Sequence, residues 1–345
     1  MRIINSTLGL AVAAAATLSV ATPSLARDNI QIAGSSTVLP FASIAAEEFG
    51  NTFPQFKAPV VGSGGTGGGM RQFCQGIGAS TIDIANASRA MKPAEIESCH
   101  AAGVEKIIEV KIGYDGIVFA SRRDKAEFKL EPKHVWAAIA RQVPIDGKMV
   151  DNPYGRWNQI DKSLPNQQIT LVIPASNHGT REVFDEKVLI EGCKTFKEMA
   201  KLEGDAQKEA CLKLRQDSGT VVEIAGDYTE TLARLQAQAD AIGVFGLSFY
   251  ESNLDRLQIA TIDGVTATQE TVISGEYPVS RPLFFYVKGE HIGVIPGLIE
   301  FAQFFVSDAV SGVDSPLFEA GLIPLSDDER AKVLSNIKNR KVVGK

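Results

Sequence analysis

The sequence predicts an α/β protein in which mainly parallel sheets carry helices on both faces. Two observations lead to this fold class. Short apolar, β-branched runs alternate with segments of helical periodicity along most of the chain. The 345 residues are also long enough for two domains, and the alternation occurs in two successive stretches. We therefore expect two α/β units.

Strand-like runs and helical patterns follow one another in a regular order. In the first unit, the runs typical of strands cover residues 29–33, 58–61, 82–86, 106–112 and 117–121, and the helical patterns cover 38–49, 70–76 and 93–102. In the second unit, the strand-like runs cover residues 169–173, 241–245 and 282–287, and the helical patterns cover 132–140, 181–189, 231–239, 296–306 and 327–339.

Three segments rich in glycine and hydroxyl residues, 34–37, 62–69 and 177–181, lie where a predicted strand leads into a helix. A helix start presents unpaired backbone N–H groups and the positive end of the helix dipole, so it attracts a small anion. Ligands of open α/β sheets bind beyond the carboxyl ends of the strands. Because two of these loops fall in the first unit and one in the second, the sequence predicts an anion pocket between the units.

Each loop also has a structural interpretation. Thr37 and Thr180 could cap their own helices, and the glycine-rich loop could connect its neighbours without binding anything. Residues 62–67 formally match the dinucleotide motif, but no acidic residue ends a second strand about 20 residues further on. Because all three loops share one pattern, we favour contact with an anion.

The first 26 residues have the pattern of a cleavable export signal. Arg2 precedes an apolar, alanine-rich run over residues 8–20, and Ser24-Leu25-Ala26 is typical of a cleavage site. The run is shorter than the roughly 20 residues that span a bilayer. No cysteine near the cleavage site could carry a lipid. We expect a periplasmic monomer that does not insert into the membrane.

The net charge, the cysteines and the histidines limit which ligands and cofactors this protein can bind. The formal net charge of −6 and the lack of a basic cluster argue against nucleic acid, so an anion must be held by local donors. Disulfides are permitted in an exported protein, and sequence neighbours favour Cys74–Cys99 and Cys193–Cys211, with free thiols as the alternative. Neither the cysteines nor the four histidines show metal-binding spacing, so we expect no metal and no cofactor.

Several motifs follow one another in a characteristic order along the chain. The first loop reads G-S-S-T-V and the third strand ends in D-I-A-N-A-S-R. With the glycine-rich loop and residues 34–38, 83–89, 113–118, 241–246, 275–278 and 280–283, this order resembles the periplasmic phosphate-binding proteins of ABC-type phosphate uptake.

This resemblance implies a two-lobed, type II-like binding protein with a hinge of crossing strands. Lobe 1 would comprise residues 27–115 and 288–345, and lobe 2 residues 116–287, with crossings near 115–120 and 284–288. The implied function is that of a receptor, not an enzyme, which captures inorganic phosphate and delivers it to a membrane permease. The ligand-binding positions that match the family are Ser36, Thr37 and Val38 in the first loop, Thr66 (or Ser63) in the second, and Gly179 and Thr180 in the third.

Three positions depart from the family pattern. His178 stands where the best-known members have a serine, Pro174 where they have an arginine, and Ser88 where they have an aspartate. We expect Ser88 and His178 to remain at the site. Arg89 and Arg181 could restore the missing guanidinium, which suits an oxyanion because it binds with two parallel hydrogen bonds.

The aspartate that Ser88 replaces would accept the proton of monohydrogen phosphate. That acceptor must come from elsewhere, and the candidates are Asp83, Asp115, Glu182 or a backbone carbonyl, although Asp115 is expected mainly to order the hinge strand. Other tetrahedral oxyanions such as sulfate, phosphite or molybdate are therefore alternative ligands. The alternative from another functional class is a secreted phosphatase. Hydrolysis would require a metal cluster or an activated nucleophile, and we predict no catalytic residue.

Overall fold

The computed structural model describes residues 27–176, 179–217, 219–225 and 228–343. The predicted export signal and His178 therefore lie outside the described residues. The strands are β1 Gln31–Gly34, β2 Val60–Ser63, β3 Ile84–Ala87, β4 Ile107–Arg122, β5 Lys129–Leu130, β6 Gln142–Ile145, β7 Lys148–Asp151, β8 Leu171–Pro174, β9 Val221–Ile224, β10 Ile242–Gly246, β11 Leu257–Ile259, β12 Thr261–Ile262 and β13 Ser280–Lys288.

Helices follow most of these strands. They are α1 Leu39–Thr52, α2 Gly65–Phe73, α3 Pro93–Ala101, α4 Pro132–Ile139, α5 Trp157–Ile160, α6 Gly179–Val183, α7 Glu191–Lys194, α8 Lys197–Ala200, α9 Gly204–Leu212, α10 Tyr228–Ala237, α11 Leu247–Glu251, α12 Gln269–Ser274, α13 Leu298–Phe305, α14 Asp308–Ser311, α15 Pro316–Glu319 and α16 Asp327–Lys338. A π-helical segment, Phe184–Ile190, joins α6 to α7, and a 3-10 turn, Gly289–His291, follows β13.

The main sheet is mixed, with its strands in the order β2-β1-β3-β13-β4-β10-β8-β9. At one end, β1 pairs in parallel with both β2 and β3, and at the other end β8 pairs in parallel with both β9 and β10. Antiparallel pairing of β13 with β3 and β4, and of β4 with β10, joins the two parallel groups. The first group carries the predicted loops after β1 and β2, with Ser88 directly after β3, and the second carries the loop after β8.

Strand β4 is longer than the sequence predicted. We expected two runs, over residues 106–112 and 117–121, whereas the structure has one continuous strand of 16 residues. Its first part pairs with β13 and its last part with β10 and β11. The central Gly113–Gly116 stretch lacks β-branched residues, so cross-strand pairing to β13 holds it extended where local propensity does not.

Helix α2 begins inside the glycine run, although the sequence predicted a loop there and a helix only from residue 70. The reason is a close approach between backbones. A Cβ on Gly69 would stand 2.5 Å from the Cα of Gly34 and 2.9 Å from the carbonyl oxygen of Ala33. Because glycine has no Cβ, α2 can lie directly against β1 and places Thr66 in its first turn.

The buried apolar side chains form three clusters along the sheet. One is built almost entirely from residues between 114 and 279, with two later additions, Ile323 and Leu325. It contains Trp136 and Trp157, which are both fully buried. The other two clusters draw on residues 30–112 and 283–337. The apolar cores thus divide near one end of the β4–β13 pairing, where Ser280 pairs with Gly116 and Leu283 with Gly113.

Two disulfides, Cys74–Cys99 and Cys193–Cys211, join the cysteine pairs that sequence neighbours favoured. The first links the end of α2 to α3, and the second links α7 to α9. Each disulfide thus links neighbouring helices. Within the described part of the chain, no helix has the length and apolar character needed to cross a membrane.

Candidate functional site

The first loop is held at the carboxyl edge of β1 by the neighbouring strand. The backbone N–H of Ser35 donates to the carbonyl of Asn86 at 2.9 Å, and the N–H of Thr37 donates to the Ser35 hydroxyl at 3.2 Å. Thr37 is buried, and Val38 is the residue from which helix α1 begins. The loop is therefore ordered by its own backbone and by β3, which leaves the hydroxyls of Ser36 and Thr37 for contacts outside it.

Those two hydroxyls meet a carboxylate that comes from α6, far away in sequence. Ser36 Oγ donates to Glu182 Oε2 at 3.0 Å, and Thr37 Oγ1 donates to the same oxygen at 3.1 Å. Thr37 Oγ1 in turn accepts a hydrogen bond from Arg281 Nη2 at 2.6 Å. The structure thus brings Glu182, which directly follows the third predicted segment, and Arg281 of β13 onto the first loop.

Arg281 is the buried cation of this group, with a side chain only 4% exposed. Besides Thr37 it donates through Nη1 to Glu186 Oε2 at 3.0 Å, and its Nη2 lies 3.9 Å from Glu182 Oε2. Its cross-strand neighbour on β4 is Asp115, whose Oδ2 lies 4.0 Å from Arg281 Nε. One guanidinium is therefore surrounded by three carboxylates, and the immediate charge of the group is negative when all three are ionised.

The Asp115 carboxyl lies in a strongly desolvated position. Burial raises the pKa of Asp115, the Arg281 guanidinium opposes that rise, and the nearby Glu182 adds to it. Asp115 Oδ2 and Arg281 Nε are both buried and have no hydrogen-bond partner among the residues the structure describes. Both atoms retain hydrogen-bonding capacity, which is unusual for buried polar groups.

The second predicted loop forms its own hydrogen-bonded pair. Thr66 Oγ1 lies 3.0 Å from Ser88 Oγ and accepts the backbone N–H of Ser88 at 3.1 Å. Both side chains are buried at the carboxyl edge that β1 shares with β2 and β3. Asn86, two residues earlier, is also buried, and neither polar atom of its side chain finds a partner within the described chain.

The third loop contacts α10 through Thr180. Its Oγ1 lies 2.5 Å from the hydroxyl of Tyr228, and both groups are buried or nearly so. Burial raises the pKa of Tyr228, and the negative charge of Asp115 raises it further. Asp115 thus lies within electrostatic reach of both the Arg281 group and the Thr180–Tyr228 pair. Gly179 and Thr180 open α6, as predicted, and Glu182 follows in the same turn.

Arg89 and Arg181, the predicted replacements for the missing guanidinium, are engaged in ion pairs with nearby glutamate and aspartate side chains. Arg89 binds Glu95 through two nitrogens at 2.7 and 2.8 Å. Arg181 donates to Asp185 at 2.7 Å and, through Nη1, to Glu223 at 3.1 Å. A ligand would have to displace carboxylates to reach either group. Their role in binding stays a prediction.

Sequence reasoning missed Arg281 as a site residue, although it stands in one of the segments that carried the resemblance. Thr37 and Arg281 are 244 positions apart, so no periodicity or spacing links them. The available signal was chemical: an arginine at the start of an apolar strand is rarely buried without a partner.

A family model described as a PBP superfamily domain matches residues 19–309. This chain belongs to the PBP superfamily. Among curated relatives, protein SphX of Synechocystis sp. is 29% identical over 320 residues, covering 90% of this chain and 82% of that protein. The phosphate-binding protein PstS of Staphylococcus epidermidis is 28% identical over 284 residues, covering 80% of this chain and 73% of that protein.

Solved structures show the same fold at low sequence identity. A possible phosphate-binding protein from Planctomyces limnophilus aligns with a TM-score of 0.69 at 23% identity, covering 91% of this chain and 98% of that one. PstS from Borrelia burgdorferi aligns with a TM-score of 0.55 at 18% identity, covering 82% and 94%. These likenesses confirm the predicted two-lobed α/β fold with its mixed sheet.

Proposed function

We propose that this chain is a periplasmic receptor that captures inorganic phosphate between its lobes and delivers it to an ABC-type permease. One observation carries the proposal: two hydroxyls and a buried guanidinium converge where the first loop meets α6, and they surround the carboxylate of Glu182. Ser36 and Thr37 donate to a single carboxylate oxygen of Glu182, and Arg281 supports Thr37 from behind. A phosphate oxygen has the same acceptor chemistry as that carboxylate oxygen.

The names of the relatives agree with this chemistry. SphX and PstS proteins cover most of this chain, and the PstS proteins are named as phosphate-binding. A solved phosphate ABC transporter substrate-binding protein from Clostridium perfringens, described with bound phosphate, aligns with a TM-score of 0.51. We therefore infer that phosphate is the ligand in preference to sulfate, phosphite or molybdate.

A dehydrated anion needs hydrogen-bond donors on all sides, because each unsatisfied oxygen costs free energy. We propose that Thr66, Ser88 and the backbone N–H of Val38 complete the lobe 1 side, and that Gly179, Thr180 and His178 complete the lobe 2 side. Thr66 and Ser88 are supported by their burial at the carboxyl edge of β1 to β3. Thr180 is supported by its burial in the first turn of α6.

Capture would require the lobes to close. The division of the apolar cores supports a first lobe boundary near residue 115. It supports a return crossing near residues 280–283 and not at the expected 287–288, because Leu283, Phe285 and Val287 pack in a cluster of lobe 1. The Ser36–Glu182 and Thr37–Glu182 contacts would then bridge the two lobes. The closed form gains stability only from a ligand that binds it more tightly than the open form.

Calorimetric titration of the mature chain with phosphate, sulfate, phosphite and molybdate tests the proposal. We expect selective binding of phosphate, and we expect Thr37→Val to weaken it at least about tenfold, because the isosteric change removes one buried hydroxyl. An equal response to sulfate would favour a general oxyanion receptor, and no binding of any oxyanion would refute the receptor. Turnover of a chromogenic phosphate ester that is lost in Thr180→Ala would favour the phosphatase.

A further inference from the structure

The carboxylate of Glu182 occupies an unusual place for a negative group in an anion receptor. It lies on α6 in the first turn after Gly179, and its Oε2 accepts hydrogen bonds from Ser36 and Thr37 on the other side of the cleft. The same oxygen is 3.9 Å from Arg281 Nη2. A chain of donors thus runs from the guanidinium through the Thr37 hydroxyl to the carboxylate.

The Arg281 guanidinium gives independent support that this group faces a ligand. Its side chain is 4% exposed, and its Nε is buried without a partner among the described residues. Asp115 Oδ2 lies 4.0 Å from Arg281 Nε and is also buried without a hydrogen-bond partner among the described residues. Unpaired donors and acceptors at this depth are costly in a group that serves only stability.

Counting donors and acceptors distinguishes the anions that could enter. An anion that takes over the hydroxyls of Ser36 and Thr37 removes both donors from Glu182 Oε2. Monohydrogen phosphate returns a donor, because its P–O–H can bind the freed carboxylate oxygen. Sulfate at neutral pH carries no proton, so it would leave the carboxylate oxygen without a donor, although its charge equals that of monohydrogen phosphate.

We propose that Glu182 selects an oxyanion that carries a proton, by accepting the P–O–H of monohydrogen phosphate while Ser36 and Thr37 donate to its other oxygens. This inference rests on the proposed function and assigns the specificity of the same site. It places on α6 the carboxylate acceptor that Ser88 replaces at the end of β3.

The other carboxylates considered from the sequence are less suited to this task. Asp83 is buried at the far end of β3, where it accepts hydrogen bonds from Arg27, His291 and the backbone N–H of Gln31. Asp115 lies beside Arg281 Nε on the hinge strand. Glu182 is the one of the three that already contacts the hydroxyls of the first loop.

The test compares Glu182→Gln with Glu186→Gln in the full mature chain, using inorganic phosphate and inorganic sulfate in calorimetric titrations at one pH and ionic strength. Both variants remove one negative charge from the surroundings of Arg281, because each glutamate lies within 4 Å of its guanidinium. Glu186 is 52% exposed at its side chain and pairs with Nη1, on the opposite branch from Thr37. Circular dichroism checks that both variants fold. Glu182→Ala serves as a second substitution at position 182.

We expect Glu182→Gln to lower the ratio of phosphate to sulfate affinity by at least about tenfold, with most of the change from tighter sulfate binding. Glu186→Gln should change that ratio by less than about threefold. A smaller fall in Glu182→Gln and Glu182→Ala, or an equal fall in Glu186→Gln, would overturn the assignment while leaving the receptor intact. If the unaltered chain binds neither anion, the proposed function itself fails.

Discussion

The contact between α2 and β1 predicts opposite effects for two adjacent glycine substitutions. Gly69→Ala would place a methyl group 2.5 Å from the Cα of Gly34 and 2.9 Å from the carbonyl oxygen of Ala33, so backbone must move. Overpacking of this kind typically costs about 1–3 kcal/mol. The nearest atom to a Cβ on Gly68 is a guanidinium nitrogen of Arg71 at 3.9 Å, which is ordinary contact with a flexible side chain.

Both glycines lie inside α2, so both alanine variants gain about 0.8–1.0 kcal/mol of helix propensity. Gly68→Ala should therefore be stabilised by up to about 1 kcal/mol, and Gly69→Ala should be about 1–3 kcal/mol less stable than Gly68→Ala. Urea unfolding followed by circular dichroism measures the difference, provided the two m-values agree. Because α2 carries Thr66, we also expect phosphate to bind Gly69→Ala more weakly. Equal free energies of unfolding would refute the close approach.

Two further predictions concern buried cations. Lys288 is fully buried, and desolvation lowers the pKa of its ammonium to about 8. The unfolded chain therefore binds more protons between pH 8 and 10.5, so the free energy of unfolding should rise with pH there by up to about 3 kcal/mol relative to Lys288→Met. Parallel stability curves for the two proteins between pH 7.5 and 10.5 would contradict this. Arg281→Lys keeps the positive charge but loses the guanidinium, whose separate nitrogens contact Thr37 and Glu186. Calorimetry should therefore show that phosphate binds about 10- to 100-fold more weakly. An unchanged dissociation constant would show that Arg281 is not part of the site.

Local sequence patterns predicted most elements of the main sheet and the loops at its edge. Most of the predicted strands and helices lie within a few residues of their observed bounds, because alternating apolar runs report directly on burial. Strands β9 and β11 and helices α7 to α9 were not predicted. The hairpin of β6 and β7 was missed although its turn, Asp146-Gly147, has the residues that a tight hairpin prefers. That signal was present in the sequence.

Other features depend on contacts that local patterns do not contain. The start of α2 at Gly65 opposes the low helix propensity of glycine and is explained by packing on β1. The continuity of β4 is explained by its pairing with β13. In the candidate site, the loops with Thr37 and Thr180 were predictable, but the joining of Glu182 and Arg281 to Thr37 is set by the tertiary fold.

A crystal structure of the mature chain grown with inorganic phosphate tests the central claim most directly. We predict a phosphate whose oxygens accept from Ser36 and Thr37, with Arg281 beside it and its protonated oxygen on Glu182. A phosphate bound elsewhere while these groups keep their present contacts, for example in the surface groove lined by Arg141, Lys213 and Arg215, would contradict the account.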